Sequence, residues 1–149
     1  MSETVWLLVV AGVLSASAVT MSAWQIVRTD PRLPDRVVGE LRLARWAGIL
    51  LAAVGGVWIG LSTARPELPM AHLDVSLGVV FVGLGGIVLQ REPRDGLLLA
   101  SGLFLVHALL NIAHRPGWLS VEVAPHWFTG GCAMYDVYLA GLCFWVWRR

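Results

Sequence analysis

Five long apolar stretches constrain what this chain can fold into. They cover residues 5–27, 46–63, 73–90, 96–113 and 127–147, and charged residues or prolines bound each of them. An α-helix rises about 1.5 Å per residue and the hydrocarbon core of a bilayer is about 30 Å thick, so each stretch is about long enough to cross a membrane. The sequence therefore predicts an all-α, polytopic integral membrane bundle of five transmembrane helices, forming a single domain over residues 1–149.

Composition excludes an ordinary soluble domain. Hydrophobic residues make up 57% of the chain and charged residues 14%, whereas about a quarter of the residues in soluble domains are charged. A bundle of four helices is the alternative, and it requires removal of the first stretch as a signal peptide. The segment MSET carries Glu3 and no basic residue, and the apolar run continues past the small residues at Ala16 and Ala18. This pattern favours a retained helix over a cleaved signal.

The basic residues are distributed unevenly between the connections. All eleven are arginine, and two of them, Arg65 and Arg115, follow the second and fourth stretches. The other nine follow the first, third and fifth stretches: Arg28, Arg32, Arg36, Arg42, Arg45, Arg91, Arg94, Arg148 and Arg149. Short loops rich in arginine stay in the cytoplasm. The sequence therefore predicts an outer N-terminus and a cytoplasmic C-terminus, and we expect the membrane to be a bacterial cytoplasmic membrane.

Two connections have a predicted structure of their own. Residues 28–45 contain two prolines, and after Pro34 acidic residues alternate with Arg36, Arg42 and Arg45. This pattern predicts a helix that starts at the membrane surface, continues into the second span and extends its arginines to lipid headgroups. Residues 114–127 have proline near both ends and an alternating LSVEVA core, which predicts a short strand or a re-entrant loop.

Small residues recur at helical spacing in the first three stretches. They are Ala11, Ser15, Ala18 and Ser22 in the first, Gly56 and Gly60 in the second, and Gly78, Gly85 and Gly86 in the third. Small side chains let helices approach closely in lipid, where no hydrophobic force drives them together. These faces predict close helix packing, either inside the bundle or against a membrane partner.

Polar residues inside the fourth and fifth stretches carry the functional signal. His107, Asn111 and His114 are spaced to share one face of a helix. Adjacent antiparallel helices usually pack together, so residues of the fifth stretch at matching depths are their expected partners. This argument predicts three pairs: His107 with Asp136, Asn111 with Cys132, and His114 with His126.

Asp136 is the most informative residue, because a carboxylate near the bilayer centre costs roughly 3 kcal/mol or more to insert. It requires a partner, and no arginine lies at its predicted depth. His107 is the first candidate, and the hydroxyls of Tyr135, Tyr138, Ser101 and Ser76 are the others. The sequence therefore predicts a ligand or proton site formed by His107, Asn111, Asp136 and Tyr135.

The histidines and the aromatic residues near them suggest three further kinds of ligand. His72, His114 and His126, with or without Cys132, form a candidate site for copper or zinc, because imidazole and thiolate bind these metals. His107 with a second histidine is a candidate pair of axial ligands for a b-type haem. Trp127, Phe128 and Tyr135, beside the polar residues, form a candidate site for a quinone or another lipid-like molecule. None of these sets has a diagnostic spacing.

Two classes of function remain open. The first is an accessory subunit that packs against other membrane proteins, or against itself, through its small-residue faces. The second is a membrane-embedded ligand, metal, haem or proton site on the outer half of the bilayer, formed by His107, Asn111, His114, His126 and Asp136. The sequence contains no evident activated nucleophile and no nucleic-acid motif, so we expect neither an enzyme nor a nucleic-acid binder.

Overall fold

A computed structural model describes residues 3–114 and 124–149 of the chain, and within them every regular element is a helix. The helices are α1 (Glu3–Arg28), α2 (Pro34–Thr63), α3 (Ala71–Gln90), α4 (Pro93–Ala113) and α5 (His126–Arg148). Each contains one of the five apolar stretches. Prolines begin α2 and α4, where the missing N–H and fixed φ of proline suit the first turn. The prediction of an all-α fold is confirmed.

Successive helices run in alternating directions. The α3–α4 pair is antiparallel, because Phe81 packs on His107 while Asp74, about two helix turns earlier, meets His114. The α1–α5 pair is parallel, since Ser15 bonds to Tyr135 and, further along, Trp24 packs on Trp145. One end of the bundle therefore carries the nine arginines that the sequence places together, and we call it the arginine-rich end. The other end, which we call the histidine end, carries His72, His114 and His126.

The surface and length of the helices are those of a membrane protein. Residues Val9–Arg28 of α1 and the whole of α2, α3 and α4 are long and apolar enough to cross a membrane, and α5 is not in that set. Large apolar side chains face outward along the bundle, among them Leu14, Leu109 and Met134, which is 77% exposed. Such a surface would be unstable in water but suits a hydrocarbon solvent.

Glycines bring α2 and α3 into backbone contact. A Cβ atom added at Gly55 would lie 2.5 Å from the carbonyl oxygen of Gly78, and one added at Gly85 would lie 2.6 Å from the carbonyl oxygen of Gly48. No side chain fits in this space, so the two backbones pack directly against each other. The predicted role of Gly78 and Gly85 in close packing is confirmed.

The other predicted small-residue faces are placed differently. Within the part of the chain that the structure describes, a Cβ atom at Gly56, Gly60 or Gly86 would meet nothing within 4 Å, so these glycines do not pack inside the bundle. On α1, Ser15 contacts α5, but the fully buried residues are Ala23 and Ile26. Ala11 and Ala18 are exposed, so this face of α1 does not pack inside the described bundle, and its packing against a membrane partner stays a prediction.

A buried ion pair joins three helices at the arginine-rich end. Arg36 is 3% exposed and its Nε donates to Oε1 of Glu40 at 2.7 Å. Its Nη1 donates to the carbonyl oxygen of Ile26 at 2.5 Å, and its Nη2 lies 3.5 Å from that of Val146. Arg36 therefore binds the C-terminal ends of α1 and α5, at carbonyl oxygens that also accept the backbone N–H of Thr29 and of Arg149.

The contacts of Arg36 correct one prediction, and the start of α2 at Pro34 confirms another. Arg36 does not extend to lipid headgroups as predicted, because the helix face that presents it at i, i+4 from Glu40 is buried. Arg42 and Arg45 are exposed, as a lipid-facing role requires. The helix does begin at Pro34 and continues without a break into the second span, as the sequence predicts. The predicted strand or re-entrant loop lies mostly in residues 115–123, outside the described residues.

Candidate functional site

His107, Asn111 and Asp136 form one buried cluster between α4 and α5, which we call the Asp136 cluster. All three are at most 2% exposed. Nδ1 of His107 lies 2.6 Å from Oδ2 of Asp136. Nδ2 of Asn111 donates to the same Oδ2 and to the backbone carbonyl of His107, both at 3.1 Å. The structure thus brings together three of the four residues predicted for a ligand or proton site.

Helix geometry explains why these residues meet. His107 and Asn111 are four residues apart on α4, so their side chains lie one above the other on the face that contacts α5. Asp136 lies at the same depth on α5 and fits between them. Further toward the arginine-rich end, Ser101 Oγ donates to the carbonyl oxygen of Ala140 at 3.0 Å, which keeps the two helices in register. Phe81 of α3 packs edge-on against the His107 ring, with centroids 4.9 Å apart.

The cluster leaves hydrogen-bonding capacity unused. Within the described residues, Oδ1 of Asp136, Oδ1 of Asn111 and Nε2 of His107 are buried and have no hydrogen-bond partner. Burying an unpaired polar atom costs free energy, and more so for a carboxylate oxygen. Packing alone would not require such atoms, because a carboxylate used only to join helices is most stable with both oxygens bonded.

A groove of about 650 Å³ between α1 and α5 reaches Asp136. Apolar and aromatic side chains form nearly all of its surface, and Asp136 is its one ionisable carboxylate among the described residues. The lining residues are Val9, Gly12, Val13, Ala16, Val54, Trp127, Phe128, Gly131, Cys132, Met134, Tyr135, Asp136 and Tyr138. The three aromatic residues predicted for a quinone-like ligand, Trp127, Phe128 and Tyr135, therefore line the same groove as Asp136.

Two tyrosines that line the groove form hydrogen bonds with α1. The hydroxyls of Tyr135 and Ser15 lie 2.8 Å apart, and the Tyr138 hydroxyl bonds to Thr20. Both contacts link α5 to α1 across the groove. Tyr135 therefore borders the predicted site, but its hydroxyl bonds to α1 rather than to Asp136.

A second histidine–aspartate pair lies between α3 and α4, and sequence reasoning missed its carboxylate. Nε2 of His114 lies 3.1 Å from Oδ1 of Asp74, and Nδ1 donates to the carbonyl oxygen of Leu110 at 2.7 Å. The Trp58 ring of α2 stacks on the imidazole, with centroids 4.4 Å apart. In an antiparallel pair of helices that brings residue 81 to residue 107, residues 74 and 114 also meet. The positions of Asp74 and His114 in the sequence are therefore a signal for this pair.

The structure separates the residues predicted to bind a metal. His72 and His126 are exposed at the histidine end, Cys132 lines the groove, and His114 is paired with Asp74. Among the described residues, no group of three or more His, Cys, Asp or Glu side chains is placed to hold a metal ion. The predicted pairs of His114 with His126 and of Asn111 with Cys132 are therefore not formed, because Asp74 and Asp136 take those positions. Copper, zinc and haem stay predictions from the sequence.

No known protein family, curated protein or solved structure matches the chain. The proposed function therefore rests on the geometry of the Asp136 cluster and the groove.

Proposed function

We propose that the protein binds an uncharged amphipathic molecule from the lipid phase in the groove between α1 and α5. A hydroxyl of its head group donates a hydrogen bond to Oδ1 of Asp136. The observation that carries this proposal is that Asp136, which lines an apolar groove, is held by His107 and Asn111 through one oxygen while its other oxygen is unpaired. A bound hydroxyl would satisfy the unpaired atom.

The depth of Asp136 restricts the class of ligand. Asp136 is ten residues from His126 and twelve from Arg148, so it lies about 15 Å and 18 Å along the helix from these two ends. A head group that contacts it lies near the middle of the bilayer. The charged head of a phospholipid is costly to bring there, whereas a hydroxyl or phenol is tolerated when it is hydrogen-bonded.

The groove wall supports a ligand with a ring. Trp127, Phe128, Tyr135 and Tyr138 provide flat aromatic surfaces along α5, and aromatic rings stack on such surfaces. Oδ2 of Asp136 accepts from Asn111 and faces Nδ1 of His107, contacts that suit a carboxylate. Oδ1 of a carboxylate accepts but does not donate, so the hydroxylated form of a quinone suits the groove better than the oxidised form. A hydroquinone with an isoprenoid tail is therefore the ligand class that we propose.

A short-tailed benzoquinol is a suitable probe, because its ring would quench tryptophan fluorescence on binding to the detergent-purified full chain. Asp136→Asn should weaken its binding by roughly ten- to a hundredfold, since a hydrogen bond to a charged group contributes about 1.5–3 kcal/mol. Asp74→Asn is the matched control, because it also replaces a buried, histidine-paired aspartate but lies outside the groove. Equal affinity of the wild type and Asp136→Asn for the probe would overturn the proposal.

We also propose, as a second candidate, an accessory role in which α2 packs against another membrane helix. Gly56 and Gly60 are four residues apart, and a Cβ atom at either position would meet nothing within the described residues. Such a pair permits close approach of a second helix, either from a partner subunit or from another copy of this chain. Gly56→Leu should abolish cross-linking between tagged copies or to a partner, whereas Gly102→Leu, at another open glycine, should not. Unchanged cross-linking in Gly56→Leu would remove this candidate.

The orientation that we propose places the arginine-rich end in the cytoplasm of a bacterium and α5 across the membrane as a fifth span. The alternating helix directions and the nine arginines at one end support it. The Asp136 cluster would then lie close to the midplane, on the outer side.

A further inference from the structure

The contacts of His114 determine where its protons lie. Nδ1 faces a backbone carbonyl, which can only accept a hydrogen bond, so Nδ1 carries a proton. Nε2 faces a carboxylate oxygen of Asp74 at 3.1 Å. Two lone pairs cannot face each other at this distance, so one further proton lies between Nε2 and Oδ1. The pair therefore holds this proton in addition to the one on Nδ1.

Within the described residues, three partners of the ring favour the proton on the imidazole. Asp74 is the charged group that α3 presents to it, and α2 presents the electron-rich face of Trp58 at 4.4 Å. A cation over an indole face is attracted to it. On the side of α5, the neighbours of Trp58 are Ala124 and Phe128, which carry no charge. The imidazolium thus has a carboxylate, a carbonyl oxygen and a π-face as partners.

The Asp136 cluster differs from the His114–Asp74 pair in its hydrogen bonds, in the charge around its imidazole and in its aromatic contact. His107 has a carboxylate on Nδ1 but no partner on Nε2 among the described residues. The amide of Asn111 donates to the carboxylate next to it, and this contact already offsets part of the negative charge. The His107 ring lies at 73° to the Phe81 ring rather than stacked on it. One proton on His107 satisfies this geometry.

A small cavity lies beside the His114 pair. His114 follows the last residue of α4 at the histidine end, and a cavity of about 10 Å³ beside it is also lined by Asp74 and Phe81. A volume of this size is close to the minimum for one water molecule. Oδ2 of Asp74, buried and without a hydrogen-bond partner in the described ranges, is a polar atom to which such a molecule could bind.

We propose that His114 and Asp74 form a proton-binding site, distinct from the groove, that takes up and releases one proton at the histidine end. Nε2 of His114 holds the proton and Asp74 is its carboxylate counter-ion. Release passes the proton to water and gives a singly protonated imidazole, whose Nε2 must then move away from Oδ1 of Asp74 because two lone pairs cannot face each other at 3.1 Å. Because the imidazole contacts α2, α3 and α4, its proton links the packing of three helices to the pH at this end of the bundle.

Nitrogen NMR of the full chain, labelled with ¹⁵N-histidine and reconstituted in lipid vesicles, tests the proposal. At neutral pH we expect His114 to carry protons on both ring nitrogens and His107 to carry one. In Asp74→Asn, His114 should keep only the Nδ1 proton, while the His107 signals stay as in the wild type. Asp95→Asn, an exposed aspartate at the arginine-rich end, is the control and should change neither residue.

Two results would overturn the proposal. One is a singly protonated His114 in the wild type, which needs no variant and so does not depend on the folding of Asp74→Asn. The other is a doubly protonated His114 in Asp74→Asn, which would show that Asp74 does not hold the proton. Neither result bears on ligand binding in the groove, because the NMR samples contain no groove ligand.

Discussion

Nδ1 of His107 and Oδ2 of Asp136 lie 2.6 Å apart at the contact of α4 and α5, and both residues are almost completely buried. Their interaction joins two helices in the interior of the bundle, where no solvent competes for the hydrogen bond. It also holds the Asp136 side chain beside the groove. The pair therefore contributes to stability and to the proposed binding site, and the two contributions can be measured separately.

A double-mutant cycle measures the interaction free energy between His107 and Asp136. His107→Gln and Asp136→Asn should each destabilise the protein by about 0.6–1.7 kcal/mol, the range found for hydrogen bonds between membrane helices. The double variant should lose less than the sum of the two single losses, because each single change already breaks the contact. Reversible unfolding in mixed detergent micelles gives these values, and strictly additive losses would show that the two side chains do not interact.

Neighbouring glycines on α2 should respond in opposite ways to the same substitution. Gly55→Ala places a Cβ 2.5 Å from the backbone oxygen of Gly78, so α2 and α3 must separate, at a cost of about 1–3 kcal/mol. Gly56→Ala meets open space and should be neutral or stabilising by up to about 1 kcal/mol, because alanine favours the helix. Thermal unfolding of the two variants in the same detergent makes the comparison, and equal melting temperatures would contradict the backbone contact.

Replacing only one member of the Arg36–Glu40 ion pair should strongly destabilise the protein. Glu40→Leu leaves the guanidinium buried without a carboxylate and should destabilise the chain by about 3–5 kcal/mol. Replacing both residues, as Arg36→Met with Glu40→Leu, should recover much of this loss. Arg42→Leu, at an exposed arginine of the same helix, should change stability by no more than about 0.5 kcal/mol. If Glu40→Leu proved as mild as Arg42→Leu, Arg36 would not be buried.

The two cysteines should differ in reactivity toward a membrane-permeant maleimide. Cys132 is partly exposed and lines the groove, whereas Cys143 is 1% exposed. Cys132 should therefore react first, and the benzoquinol probe should slow its modification without affecting Cys143. Mass spectrometry of Cys132→Ser and Cys143→Ser assigns each product. Modification of Cys132 at the same rate with and without saturating probe would place the ligand elsewhere.

Reporter fusions test the proposed orientation. A reporter attached after Arg149 should be active only if it requires the cytoplasm, since α5 brings the C-terminus to the arginine-rich end. A reporter inserted after Pro66, between α2 and α3, should be active only if it requires the outer side. The same type of activity at both positions would show that the chain between them crosses the membrane an even number of times, and not three times as we propose.

Much of the fold follows from the sequence because hydrophobic length and helical rise are local properties. Each apolar stretch forms a helix, and the His107–Asp136 contact follows from matching depths on adjacent antiparallel helices. The contact of Asp74 with His114 was missed because Asp74 lies in the first turn of α3, where a charge is typical of a helix end. The groove depends on which helices pack side by side, and hydropathy carries no information on that choice.

The burial of Arg36 shows the same limit. Its spacing from Glu40 indicates an i, i+4 ion pair, and this part is readable from the sequence. That the pair also binds the carbonyl oxygens of Ile26 and Val146 depends on α1 and α5 ending at the same place. Such a meeting of helix ends is a property of the whole bundle.

The bond between Ser15 and Tyr135 joins residues 120 positions apart. During synthesis, α1 is made before α5, so this bond cannot form until α5 has been made. Until then the face of α1 that α5 will contact is free to contact other helices, and Asp136 has not yet been synthesised. The groove is therefore completed only when α5 packs against α1, and a molecule that binds in it can do so only after that step.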